Sequence, residues 1–131
     1  MKIEKLRGTE QRLYELVAPL VMRSSVLRQN NNYPFKTSPQ YLWFVALKAG
    51  QVLGFIPVEV KDKTALINNY YLSGDDTFLL NAILQEVIIS FGQEYKLQSV
   101  THTHHLPVFQ ENGFDVIRTW KLYVKMEYRR K

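Results

Sequence analysis

The sequence predicts a single α/β (α+β) domain over residues 1–131: a mixed, mostly antiparallel sheet flanked by helices, in the order β-α-α-β-β-β-α-β-α-β-β. Three observations carry this expectation. Between Tyr41 and Leu72, β-type runs succeed one another across short turns, the pattern of an antiparallel meander. A strongly apolar helical run from Phe78 to Phe91 follows directly, and from Phe114 onward the chain is β-rich again. With 131 residues, 46% hydrophobic and 22% charged, the chain supports one substantial core and is too short for two ordinary ones.

Taken in order, Lys2 to Leu6 sets Ile3 and Leu6 among charges and predicts a short first strand closed by Arg7 and Gly8, with Thr9 as helix N-cap. Leu13, Leu16, Val17, Leu20 and Val21 recur at helical spacing, and Pro19 should kink that helix or open a second one. From Ser24 to Pro39 the pattern dissolves into a long loop with room for a helical turn. Tyr41 to Leu47 and Gln51 to Val60 are strands about an Ala49-Gly50 turn, and Pro57 suggests an edge or a bulge in the second. Ala65 to Leu72 continues the meander. Leu97 to Thr101 is a short strand, Leu106 to Asn112 a short helix stopped at Gly113, and Phe114 to Trp120 with Leu122 to Tyr128 a closing hairpin.

Composition bounds the chemistry. Cysteine is absent, which excludes disulfides and thiolate catalysis and fits a reducing cytoplasm. No stretch approaches the roughly 20 apolar residues that span a bilayer, so no membrane partner is expected. The net charge of +5 lies entirely between Arg118 and Lys131, and the rest of the chain balances 11 basic against 11 acidic residues. Arg129, Arg130 and Lys131 therefore form a local basic tail, a solvated end or a contact for nucleic acid. The helix Phe78 to Phe91 leaves only a narrow polar stripe around Asn81, Gln85 and Glu86, so it is buried on most sides, within the domain or in a homodimer.

The junction Ser73 to Asp76, where a strand runs into that helix, is the natural anion site, because the first N–H groups of a helix lack internal partners. Asp75 and Asp76 compete there as caps. His102, His104 and His105 lie within four residues at a strand end, with His102 and His104 at a spacing that would share one face of an extended segment. The sequence marks no third or fourth ligand, and no metal site is assigned.

The element order resembles that of the GNAT acyltransferase superfamily, whose members move an acetyl group from acetyl-CoA to an amine. Leu106 to Phe114, LPVFQENGF, is similar to the family's helix ending in Tyr-Glu-x-x-Gly-Phe, and Leu53-Gly54-Phe55 is similar to a step in its third strand. The resemblance implies an acetyl-CoA-dependent N-acyltransferase acting by direct attack of a small-molecule or peptide amine. It implies that Asn69, Tyr71 and Leu72 hold the pantetheine arm and that Ser73, Gly74 and Thr77 lie nearest the phosphates. It further implies Glu59 as general base, Tyr70, Tyr71 or Tyr123 as the replacement acid, His102 as cofactor contact or general acid, and Phe109 beside the cofactor. Two departures stand out. The phosphate loop is acidic, SGDDT, which counts against acetyl-CoA, and Phe109 stands where the family carries a tyrosine that protonates the leaving thiolate. The alternative function is therefore a GNAT-like binding module without catalysis.

Overall fold

The computed structural model describes residues 1–130. The strands are β1 (Lys2–Arg7), β2 (Tyr41–Lys48), β3 (Gln51–Lys61), β4 (Thr64–Ile67), β5 (Tyr71–Leu72), β6 (Lys96–His102), β7 (Phe114–Thr119) and β8 (Tyr123–Tyr128). The helices are α1 (Gln11–Val21), α2 (Ser24–Arg28), α3 (Thr77–Phe91) and α4 (Leu106–Glu111), with short 3-10 turns at Ser73–Asp75 and Thr103–His105. The sheet runs β1-β2-β3-β4-β6-β8-β7, with β5 paired to β3. All pairings are antiparallel except that of β4 with β6, which the crossover through α3 makes parallel. The predicted mixed, mostly antiparallel sheet and its closing hairpin are therefore present.

Strand β2 shows why the sheet is covered twice. Its alternate residues Trp43, Val45 and Leu47 pack with Leu13 and Val17 of α1 and Val26 of α2, while Phe44 and Ala46 join the core beneath α3 and α4. Helix α3 inserts Leu79, Leu80, Ile83, Leu84 and Val87 into that second core, leaving Phe78 and Ile89 exposed.

Several expectations need correction. Thr9 is not a cap: Glu10 occupies the N-cap of α1, and its carboxylate turns back to accept the Arg7 N–H at 2.9 Å. Pro19 stays within α1, which ends two residues later, and the following segment folds a separate five-residue helix. The strand expected from Ala65 to Leu72 is broken into β4 and β5. Strand β3 is not an edge either, since β2 lies on one side and β4 and β5 on the other. Pro57 is tolerated because β4 pairs only from Val58 onward and β5 only with Gly54 and Phe55, so no strand asks Pro57 for an N–H. Asp75, expected to cap α3 beside Asp76, does not; Asp76 alone accepts from Phe78 N–H (2.9 Å) and Leu79 N–H (3.2 Å).

The basic end is partly engaged. Arg129 pairs with Asp115 at 2.8 Å and the Arg118 guanidinium stacks 5.2 Å from the Trp120 ring centre. Lys131 lies outside the described residues. Among those residues no helix is long and apolar enough to cross a membrane.

Gly54 sets how closely β3, β5 and α3 approach. A Cβ there would lie 2.5 Å from the Tyr71 carbonyl oxygen and 3.1 Å from Leu79 Cδ2. Backbone cannot move aside as a side-chain tip does, so Gly54→Ala should destabilise the fold by about 1–3 kcal/mol. Urea denaturation measures the loss; an unchanged midpoint would contradict this packing.

Candidate functional site

The site begins where the sheet divides. Strands β4 and β6 pair from Thr64 with Lys96 to Ile67 with Ser99, and there the pairing stops. The chain beyond β4 leans toward β3 and resumes as β5 opposite Gly54 and Phe55, whereas β6 continues along β8 as far as His102 opposite Tyr123. A splay opens between β5 and the end of β6. On one side it meets a cavity of about 580 Å3 lined by Tyr33, Phe35, Tyr41, Glu59, Asn69 and Tyr123, among others.

A divided sheet exposes backbone groups that must find partners. Here side chains supply them. On the edge of β5 away from β3, the Leu72 carbonyl accepts from Gln29 Nε2 at 2.7 Å and the Leu72 N–H donates to Gln29 Oε1 at 3.1 Å. One carboxamide thus pairs with Leu72 as a neighbouring strand would. The next residue, Asn30, is buried and donates to the Tyr70 carbonyl at 3.0 Å, and Asn31 donates to the Tyr123 hydroxyl. All three follow α2 directly, so this short helix delivers the plug that fills the splay.

A second set of contacts crosses the mouth. The Asp75 carboxylate meets His104 Nε2 at 3.1 Å and His105 Nε2 at 2.8 Å, joining the turn after β5 to the turn after β6. Behind them, His105 Nδ1 lies 2.6 Å from the Tyr70 hydroxyl, which is 3.4 Å from Thr101 Oγ1. Tyr70 and His105 are each 2% exposed. Burial pushes the Tyr70 phenol well above its ordinary value, so it keeps its proton. Burial also lowers His105, outweighing the Asp75 carboxylate that pulls the other way, and the ring is neutral. Because the Asp75 carboxylate can only accept, the neutral His105 carries its proton on Nε2 and donates it to Asp75, and Tyr70 donates to the bare Nδ1. Gly74 and Asp75 both adopt positive φ, 66° and 52°, which turns the Asp75 side chain toward the histidines and away from α3.

The residues singled out from sequence fall into distinct places. Glu59 lines the cavity opposite Tyr41, whose phenol is pushed up by burial and then by the Glu59 charge. Asn69 lines it too, its amide 3.4 Å from the Pro34 carbonyl. Leu72 offers its backbone to the splay, whereas the Tyr71 ring packs 5.6 Å from Phe55 on the α1 and α2 face. Ser73, Gly74 and Thr77 are exposed at the start of α3. Phe109 is fully buried, its ring centre 6.2 Å from that of Tyr70 and 5.2 Å from that of Phe114. His102 ends β6 with its Nε2 buried and without a hydrogen-bond partner among the described residues, and burial followed by its neighbours His105 and His104 lowers its pKa. It does not share an extended face with His104, because the chain turns at Thr103 and sends His104 and His105 together toward Asp75.

Gln29, Asn30 and the Tyr70, His105, Asp75 chain were not anticipated. The one available signal for the first two was the run Gln29 to Asn32 placed directly after an amphipathic segment, and periodicity assigns such a run to a loop without saying what it touches.

No protein-family model and no curated protein matches the sequence. Solved structures do match in shape. The chain is similar to Escherichia coli ElaA, with a TM-score of 0.74 at 13% identity, covering 98% of this chain and 100% of that one. It is similar to an acyl-CoA N-acyltransferase from Pseudomonas aeruginosa, with a TM-score of 0.67 at 11% identity, covering 98% and 99%. It is also similar to a GNAT family acetyltransferase from Elizabethkingia anophelis with acetyl-CoA bound, with a TM-score of 0.61 at 15% identity, covering 96% and 94%. Likeness at these identities establishes a shared fold, and the expected GNAT-like architecture is the one observed.

The buried hydroxyl of Tyr70 is the only side-chain partner found for His105 Nδ1 among the described residues. Tyr70→Phe keeps the ring and strands that nitrogen, so it should cost about 1–3 kcal/mol in urea denaturation. Stability equal to the parent's would show that the contact carries no net stabilisation.

Proposed function

We propose that this chain, which has the fold of the GNAT N-acetyltransferases, is an acyl-CoA-dependent N-acyltransferase acting on a small-molecule or peptide amine. The observation that carries this proposal is the edge of β5 that no strand covers among the described residues, where the Gln29 side chain sits instead. Leu72 presents an N–H and a C=O to the splay and pairs them with a carboxamide, and the amides of a pantetheine arm belong to the same chemical class. Acetyl-CoA bound to the similar Elizabethkingia protein supports the choice of donor.

The residues present fit the arm better than the phosphates. Asp76 already takes the N–H groups of Phe78 and Leu79, and a phosphate at the start of α3 would have to displace it. Ser73, Gly74 and Thr77 remain exposed there, and a Cβ on Gly74 would meet nothing within 4 Å, so the turn itself leaves room. Affinity is therefore expected to come mainly from the Leu72 backbone groups.

A bound acyl-CoA would supply an electrophilic thioester carbonyl. The chain's own part is to orient and to move one proton. Glu59 lines the 580 Å3 cavity, which supports a role in accepting the amine proton, directly or through water. Tyr41 and Tyr123 border the same cavity. Phe109 supplies no proton to the departing thiolate. Positioning is left to provide most of the rate, and turnover should be slow by a factor of about 10² relative to an enzyme with a phenol there.

Calorimetric titration with acetyl-CoA should give saturable binding, and neither heat nor a thermal shift at millimolar cofactor would overturn the proposal. Gln29 competes for Leu72, so Gln29→Ala should lower the melting temperature while tightening acetyl-CoA by up to about tenfold, the worth of one or two hydrogen bonds. Glu59→Gln should lower kcat by about 10²-fold with acetyl-CoA affinity unchanged. Undiminished turnover would remove Glu59 from the base role.

A further inference from the structure

We propose that Asp75, His104 and His105 form a binding site for a divalent transition metal of the zinc class, set across the mouth of the splay. Each offers one ligand atom, and the three atoms lie within 4.8 Å of one another. The closest approaches to the carboxylate are 3.1 Å for His104 Nε2 and 2.8 Å for His105 Nε2. Tetrahedral zinc with bonds of about 2.0–2.1 Å holds neighbouring ligand atoms roughly 3.3 Å apart, so small rotations suffice to admit the ion. Two imidazoles and a carboxylate are a donor set that zinc accepts, and three protein ligands leave a fourth position for water or another ligand.

The surroundings supply what a metal-bound histidine needs. Such a ring normally engages its second nitrogen with an oxygen partner, which fixes its tautomer and orientation. His105 has that partner in the Tyr70 hydroxyl at 2.6 Å, and Tyr70 has Thr101 Oγ1 at 3.4 Å. When Nε2 binds the metal, the His105 proton moves to Nδ1 and is donated to the Tyr70 oxygen. The Tyr70 O–H then turns to Thr101, and no group gains or loses net charge. His104 is exposed, so its Nδ1–H faces water. The His102 ring flanks both, its centre 5.4 Å from that of His104 and 5.7 Å from that of His105, with Nε2 buried and unpartnered. The rival explanation is a hydrogen-bonded cluster that needs no ion.

The chain has three histidines, all in this cluster, and no cysteine, so a protein freed of any affinity tag has no competing imidazole or thiolate. After dialysis against a chelator, titration with Zn²⁺ should show one saturable equivalent and raise the melting temperature, whereas Mg²⁺ should do neither. Co²⁺ should develop the visible absorption of a low-coordinate nitrogen and oxygen site. Loss of an outer partner typically costs about 10–100-fold in metal affinity. Tyr70→Phe should fall in that range, and His104→Ala and Asp75→Asn, both at exposed positions, should lose at least as much. The metal proposal is overturned if zinc fails to saturate at submillimolar concentration, or if His104→Ala and Asp75→Asn bind it as the parent does. These readouts use the metal alone, so they stand or fall separately from acyl-CoA binding.

Discussion

The structure turns on an obligation created where the sheet divides. Two strands that pair in parallel and then part leave N–H and C=O groups facing one another across a gap too wide for hydrogen bonds. Burying such groups without partners costs about 1–3 kcal/mol each. This protein meets that obligation with side chains on one side and leaves a cavity on the other. Gln29 and Asn30 satisfy Leu72 and Tyr70, while Glu59, Tyr41 and Tyr123 border open space. The same parting of strands therefore yields both the side-chain-paired edge of β5 and the cavity beside it.

The paired acidic residues at the end of β5 illustrate how neighbours in sequence take separate physical roles. Asp76 keeps a backbone conformation in the extended region and caps α3. Asp75, one residue earlier, sits at positive φ and reaches across the mouth to two histidines. Two carboxylates aimed at one helix end would repel each other; directing one toward imidazoles removes that conflict and ties two connecting turns together.

Much of the architecture was legible because it rests on local patterns. The strongly β-forming run Tyr41 to Leu47, the apolar run of α3 and the turn at Gly113 are enough to place the meander, the crossover helix and the final hairpin. The positions of Glu59 on the third strand and of Leu72 at a strand end were also legible. What escaped was non-local. Nothing in the residues near Ala65 announces that the strand will break after Ile67, because the break is set by which neighbour each half follows, β6 or β3. Gln29 meets Leu72 across 43 positions of chain, and Asp75 meets His105 across 30. Side-chain pairs at such separations leave no periodic trace, so an Asp read as a cap and a histidine run read as an extended face were both reassigned by tertiary contact.

The way α2 is held has a kinetic consequence. Its five residues bury one apolar side chain fully, Val26, and its C-terminal end is tied to the sheet largely through carboxamides. A segment with so little apolar anchorage belongs among those that open locally at a small fraction of the global unfolding free energy. Anything that pairs with the Leu72 edge must wait for that opening. Its arrival is then governed by how often that short helix and the residues after it open, an internal clock of the protein, and only secondarily by diffusional encounter.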